Sequence, residues 1–204
     1  MKHTRNPSFQ SVARQMITSR CGVCYYSESR VRQKLVCWKL SGIPGLQERR
    51  IIGNMRLLAD HAPPRVQAVY FKAVWNGWAT DCRMRTLLTQ QGKSIRPCVL
   101  RCGMGSNSLQ HYAVCKVFWD CLASLLHIST GCRSRDFFLL AADGMPKELK
   151  LQLAGAMYAL HRGVQVLRHA DAAAGLHLNP TALLQCWVKK CGMLLAQEHV
   201  DNRR

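Results

Sequence analysis

Pro97–Trp119, PCVLRCGMGSNSLQHYAVCKVFW, is the stretch around which the rest of the chain is organised. It carries Cys98, Cys102, His111 and Cys115 in the order C-x-x-x-C, eight residues, H-x-x-x-C. Three thiols and one imidazole are the donor set of a closed, four-coordinate structural Zn²⁺ site. Gly103 and Gly105 follow the first pair and let the backbone turn tightly, so that both sulfurs reach one point. Asn107 stands where it can cap a helix, with Gln110 three residues on in the capping-box position. On that helix His111 and Cys115, four apart, share one face. The spacing therefore predicts a zinc-knuckle-like turn donating two thiolates beside a helix donating a histidine and a third thiolate. The first gap is three residues, where two is commoner in standard fingers. The competing reading makes the three thiols small packed hydrophobes in a cysteine-rich chain. Spacing and capping together favour the metal.

Working outward, the segment before the first cysteine, 82–96, holds Arg83, Arg85, Lys93 and Arg96 and few apolar residues, and reads as a solvated basic connector. Upstream, 47–61 places Ile51, Ile52, Met55 and Leu58 at helical spacing. Ala62-Pro63-Pro64 breaks that helix, and Pro64 opens a second one with Val66, Val69, Ala73 and Trp75 or Trp78 as buried positions. The two tryptophans suit a core better than a platform for stacked bases. Further upstream, 1–46 reads as a poorly defined basic arm that ends in the linker-like SGIPGL. Its Cys21 and Cys24 form a C-x-x-C pair with Cys37 nearby, but no matching pair follows, so unpaired thiols are the preferred reading.

Downstream, the helix of His111 and Cys115 is expected to continue through Trp119, Leu122 and Leu126, so that the metal site caps a helix entering the core. DFFLLAA at 136–142 fits strand or helix. Pro146 opens an amphipathic helix whose stripe is Leu149, Leu153, Met157, Leu160, Val164 and Leu167, with Lys147, Lys150, His161, Arg162 and Arg168 off it. Asn179-Pro180 starts a last helix carrying Leu183, Leu184, Trp187 and Leu194. His161, His169 and His177 read as solvent-facing or locally bonded. The fold expected is mainly α, in three stretches: the arm 1–46, the helices and knuckle of 47–127, and a helical region 128–204.

The 204 residues are 48% apolar, enough for a core. Lys and Arg exceed Asp and Glu by 18, and the excess runs along the whole length. Such a charge favours a polyanionic partner, with nucleic acid the first choice. Eleven cysteines, an odd number, with no secretory apolar segment, fit a reducing nuclear or cytoplasmic compartment better than a disulfide framework. No apolar run approaches membrane-spanning length, so no membrane partner is expected. The N-terminal twenty residues carry the basic, acid-poor composition of a transit peptide, but so does much of the chain.

Several chemistries lack their residues. There is no Tyr-x-Asp-Asp or adjacent carboxylate pair for a two-metal polymerase, no H-x-E for a zinc deaminase, and no P-loop. Asp136, Glu148 and Lys150 have the order used by some metal-dependent nucleases, but Glu148 and Lys150 lie two apart on a helix and face different ways. The expectation is a chain that is not an enzyme and has no small-molecule substrate.

Leu57 to Trp119 resembles the C-terminal region of LINE-type (non-LTR) retrotransposon reverse transcriptase polyproteins. The resemblance rests on APPRVQA at 62–68, WNGWAT at 75–80, Arg83, CVLRC at 98–102, Ser108, His111-Tyr112 and Cys115. Asn107 and Gln110 depart from it, standing where acidic residues are common, as does Lys116, where proline often follows the last cysteine. The resemblance implies a Cys-Cys-His-Cys zinc segment, with Cys98, Cys102, His111 and Cys115 as ligands, that contacts nucleic acid. The polymerase and endonuclease parts are not in this sequence. Nucleic-acid contacts fall to Arg96, Arg101, Lys116, Arg83, Arg85 and Tyr112, with Arg133, Arg135 and Lys147 as a contrasting set outside the knuckle. The alternative function is a folded or partly folded retroelement relic without activity, and a metal-dependent nuclease stands further off.

Overall fold

The computed structural model describes residues 28–40, 43, 45–172 and 178–201. Cys21, Cys24 and His177 lie outside them. The architecture is mainly α-helical, and the described residues contain no strand, only an isolated antiparallel bridge between Pro97 and Ser106. In chain order the α-helices are Glu28–Leu35 (α1), Leu46–His61 (α2), Pro64–Val74 (α3), Arg85–Gln90 (α4), Leu109–Tyr112 (α5), Lys116–Leu126 (α6), Arg135–Phe138 (α7), Lys147–Ala172 (α8) and Pro180–Asp201 (α9).

The long α8 is the central element. It packs against α9 on one side and α3 on another, and α6 and α2 also touch it. Its expected stripe is buried, with Leu153, Met157, Leu160, Val164 and Leu167 interior and Leu149 at the margin, but burial extends beyond it to Leu151, Ala154, Ala156, Ala159 and His161. α2 and α3 meet across the Ala62-Pro63-Pro64 break, where Pro64 is the first residue of α3 because its missing N–H costs nothing there. Val66, Val69, Ala73 and Trp78 are buried, while Trp75 is half-buried and stacks on Phe71 with centroids 4.4 Å apart. Asn179 caps α9 as the sequence suggests, its Oδ1 accepting from the amides of Thr181 and Ala182 at 3.0 and 3.2 Å.

Residues 136–142 resolve as neither a strand nor a full helix. After the single turn of α7, Leu140 adopts a left-handed φ of 58° and the chain dives through the core. Side chains of α2 and α3 satisfy the carbonyls that leaves: Asn54 Nδ2 donates to Leu140 O at 2.8 Å and Tyr70 Oη to Leu139 O at 2.9 Å. Buried backbone groups need such partners, and here polar residues on helix faces supply them.

Within the stretch expected as an arm, residues 31–38 pack into the core. Val31, Leu35 and Trp38 are buried in the same core as the later helices, with the Trp38 ring 6.0 Å from that of Phe138. One hydrophobic cluster runs from Val31 to Cys191, so the described residues share a core across the boundaries expected near 46 and 128. No helix among them is long and apolar enough to cross a membrane.

Candidate metal centre

The loop from Arg96 to Ser108 is a narrow hairpin. Arg96 O accepts from the Asn107 amide at 3.0 Å, and the Cys98 amide donates to Gly105 O at 2.7 Å. At its tip the Arg101 amide donates to Cys98 O at 2.8 Å, with Arg101 (φ 55°) and Gly103 (φ 74°) both left-handed. This turn carries Cys98 and Cys102 to one side. Gly105 serves differently: a Cβ there would lie 2.2 Å from His111 Nδ1, so its hydrogen is what leaves room for the imidazole.

The second half of the site departs from a single helix. Ser108, not Asn107, caps α5, its Oγ accepting from the His111 amide at 3.1 Å. α5 lasts one turn, and Cys115 stands outside it as the extended N-cap residue of a new helix, α6. His111 and Cys115 therefore converge across a helix–helix junction and not along one helical face. Asn107 is instead fully buried, accepting from Tyr112 Oη at 2.7 Å.

These elements bring Cys98, Cys102, His111 and Cys115 together, with all four donor atoms within 4.8 Å of one another. Cys98 Sγ and Cys115 Sγ are 3.9 Å apart, and Cys102 Sγ lies 3.1 Å from His111 Nε2. Donors about 2.0–2.3 Å from a tetrahedral Zn²⁺ stand about 3.5–3.8 Å from one another, so the set fits such an ion with small movements. Cys98 and Cys115 are buried and Cys102 and His111 half-buried, and the Met104 amide donates to Cys102 Sγ at 3.4 Å. The hydrogen bond from Cys98, against the cost of burial and with help from His111, pulls the Cys115 thiol below the ordinary thiol range. That same bond, with burial, pushes Cys98 up. Among the described residues this is the one group of three or more such side chains that could hold a metal ion.

Asp81 gave no signal in the sequence, being a lone acid at the edge of the basic connector. It is buried, and Arg96 grips it with Nε on Oδ2 at 2.8 Å and Nη2 on Oδ1 at 3.1 Å, while Arg168 of α8 approaches Oδ1 at 3.5 Å. Burial alone would push this carboxyl up. The hydrogen bonds and charge of Arg96, with Arg168, outweigh burial and hold it below the ordinary range. The neighbouring Cys82 amide donates to Asn107 O at 3.2 Å, so the 81–82 segment is strapped to both ends of the metal hairpin.

The cations proposed from sequence separate into unequal groups. Arg101 is exposed at the tip, and Arg85 is exposed on α4, a helix that buries nothing. Arg96 is committed to Asp81, Lys116 pairs with Asp120, and Arg83 donates to Asn76 O. Tyr112 is fully buried, so its ring is not presented as a stacking surface, contrary to expectation. Arg133, placed in the contrasting set, donates from Nε to Val114 O at 2.6 Å and so stands beside Cys115. Its Val114 acceptor is a backbone carbonyl, which residue spacing does not reveal. His161, expected to be solvent-facing or locally bonded, is buried edge-on against Trp78 with centroids 4.9 Å apart and bonds locally to Gln165 at 3.4 Å. Asp136 accepts from Gln47 at 2.8 Å, and among the described residues neither it nor Glu148 joins a group of three or more side chains that could hold a metal ion. Comparison with family models, with curated proteins and with solved structures gave no match.

Proposed function

We propose that the chain is a zinc-stabilised nucleic-acid-binding module, derived from the C-terminal part of a retroelement polyprotein and without catalysis of its own. The observation that carries this reading is the convergence of Cys98, Cys102, His111 and Cys115 to within 4.8 Å in a chain of net charge +18. A closed Cys₃His set leaves no open coordination position for substrate, so the metal's contribution is structural. When bound it would link the hairpin, α5 and α6 at the place where two of its ligands are already buried.

The positive surface supplies the second half. Phosphate contacts release counterions and need no base-specific geometry, which suits exposed cations such as Arg101, Lys116 and Arg133 around the hairpin. The resemblance of 57–119 to the zinc segment of LINE-type polyproteins supports the same reading and its retroelement origin.

The test is binding to a labelled oligonucleotide over a range of salt, for the parent chain and for Arg101→Ala/Lys116→Ala/Arg133→Ala. The parent should bind with an affinity that falls linearly on a log–log salt plot, and the triple variant should lose both affinity and slope. A parent that does not bind at low salt, or a triple variant indistinguishable from it, contradicts the proposal.

A further inference from the structure

The described residues hold three contacts between a cation and an aromatic ring, and all three fall on one face, away from the metal hairpin in sequence. Arg65, at the start of α3, lies 5.9 Å over the ring of Tyr158. Arg162 and Lys190 lie 5.4 and 5.3 Å from the ring of Trp187. Tyr158 and Arg162 are four apart on α8, and Trp187 and Lys190 three apart on α9, so each pair shares a helix face. Arg162, one turn beyond Tyr158 on α8, lies over Trp187 and so ties the two rings into one patch. Both rings are half-buried and the three cations exposed. None of these cations is held in an ion pair among the described residues.

We infer that this α3–α8–α9 face, centred on Tyr158 and Trp187 and ringed by Arg65, Arg162 and Lys190, is a docking surface for single-stranded nucleic acid. The inference rests on the nucleic-acid reading above but on residues that reading does not use. Half-exposed flat rings with exposed cations over them match the two demands of an unpaired strand, a face for the base and charge for the phosphate. A base arriving on Trp187 displaces Arg162 or Lys190 from the ring, and the displaced cation turns to the adjoining phosphate. A duplex keeps its bases stacked inside and offers only the phosphate half of this exchange. The proposal also replaces the stacking surface lost with the burial of Tyr112.

The experiment measures binding of a fluorescein-labelled oligo-dT, and of a duplex of equal length, to the full chain and two variants. Trp187→Leu should weaken the single strand by about tenfold or more, the loss expected of one stacked base, and leave the duplex nearly unchanged. Arg162→Gln/Lys190→Gln changes only exposed groups and keeps the core intact. It should lower the salt slope for the single strand by about 1.4, at about 0.7 per phosphate contact. A parent that binds while both variants bind as it does overturns the patch and leaves the metal-site reading standing. A parent that binds neither probe overturns both. Binding of an acidic peptide in preference to oligo-dT, lost in the same variants, overturns the nucleic-acid assignment in favour of a protein partner.

Discussion

Arg96 closes a two-pronged ion pair on the buried Asp81, and the same residue's carbonyl accepts from Asn107 at the other end of the metal hairpin. A single residue thus fixes the hairpin's entry to its exit and to α8, where Arg168 approaches the same carboxylate. Asp81→Asn should leave two guanidinium groups facing a neutral amide. The expected cost is about 2–3 kcal/mol, below that of a fully buried pair because both arginines keep part of their surface in water. Chemical denaturation of parent and variant measures it. A loss under half a kilocalorie would make Asp81 a bystander. Because Asp81 is held below the ordinary carboxylate range, its contribution is present above the unfolded pKa and fades as pH falls through the lower, folded one.

Gly105 and Gly103 should respond oppositely to alanine. At Gly105 the added Cβ meets the His111 ring at 2.2 Å, so the ring must leave and the fourth ligand is lost. Competition with a chromogenic chelator should show metal affinity falling by at least tenfold, the scale on which outer-shell changes act. At Gly103 the Cβ meets nothing within 4 Å and only the left-handed φ of 74° is strained. That costs roughly 1–2 kcal/mol of stability while the metal stays bound. Equal metal affinity in the two variants would contradict the assignment of His111 as ligand.

His161 predicts a pH dependence away from the metal. Burial, then the charges of Lys72 and Arg162, lower its pKa from 6.5 to about 4. Gln165 is its one hydrogen-bonded neighbour among the described residues, at 3.4 Å, and its Nδ1 has no partner there. The folded state holds fewer protons than the unfolded state between those two values. Stability contributed by the neutral imidazole is therefore complete above about pH 6.5 and lost as pH falls toward 4, by on the order of 3 kcal/mol. His161→Phe keeps the ring against Trp78 and should flatten this part of the stability–pH profile. An unchanged slope from pH 6.5 to 4 would place the acid sensitivity elsewhere.

Much of the helical frame was legible because burial on a helix repeats at a period that composition cannot hide. The α8 stripe, the Pro64 start of α3 and the Asn179 cap of α9 were each visible in this way. The four donor residues were legible for another reason: their chemistry is rare and their spacing confined. Their local geometry was not, because the choice between Asn107 and Ser108 as cap depends on which side chain the core takes, and the core took Asn107 for Tyr112. The break between α5 and α6 carries no proline or glycine to announce it. The short, basic α1 and Trp38 gave no periodic signal, though Trp38 is among the most buried residues of the chain. Asp81 carries no such signal, because an isolated acid among arginines reads as a surface charge until its burial is known.

Removing a ligand should unfold more than the hairpin. Cys115 is fully buried and adjoins the run of Phe118, Trp119 and Leu122 that α6 puts into the common core. Cys115→Ser should lower the melting temperature of the far-ultraviolet helical signal as a whole, and chelator should reproduce the effect in the parent. A loss confined to a small local transition would make the hairpin an appendage.

X-ray absorption at the zinc edge, on protein purified from reducing buffer without added metal, addresses the central claim most directly. It should show one zinc per chain in a shell of three sulfurs at about 2.3 Å and one nitrogen at about 2.0 Å. Protein that is folded yet devoid of zinc, or a shell dominated by oxygen, would contradict the assignment of Cys98, Cys102, His111 and Cys115 as a structural metal centre.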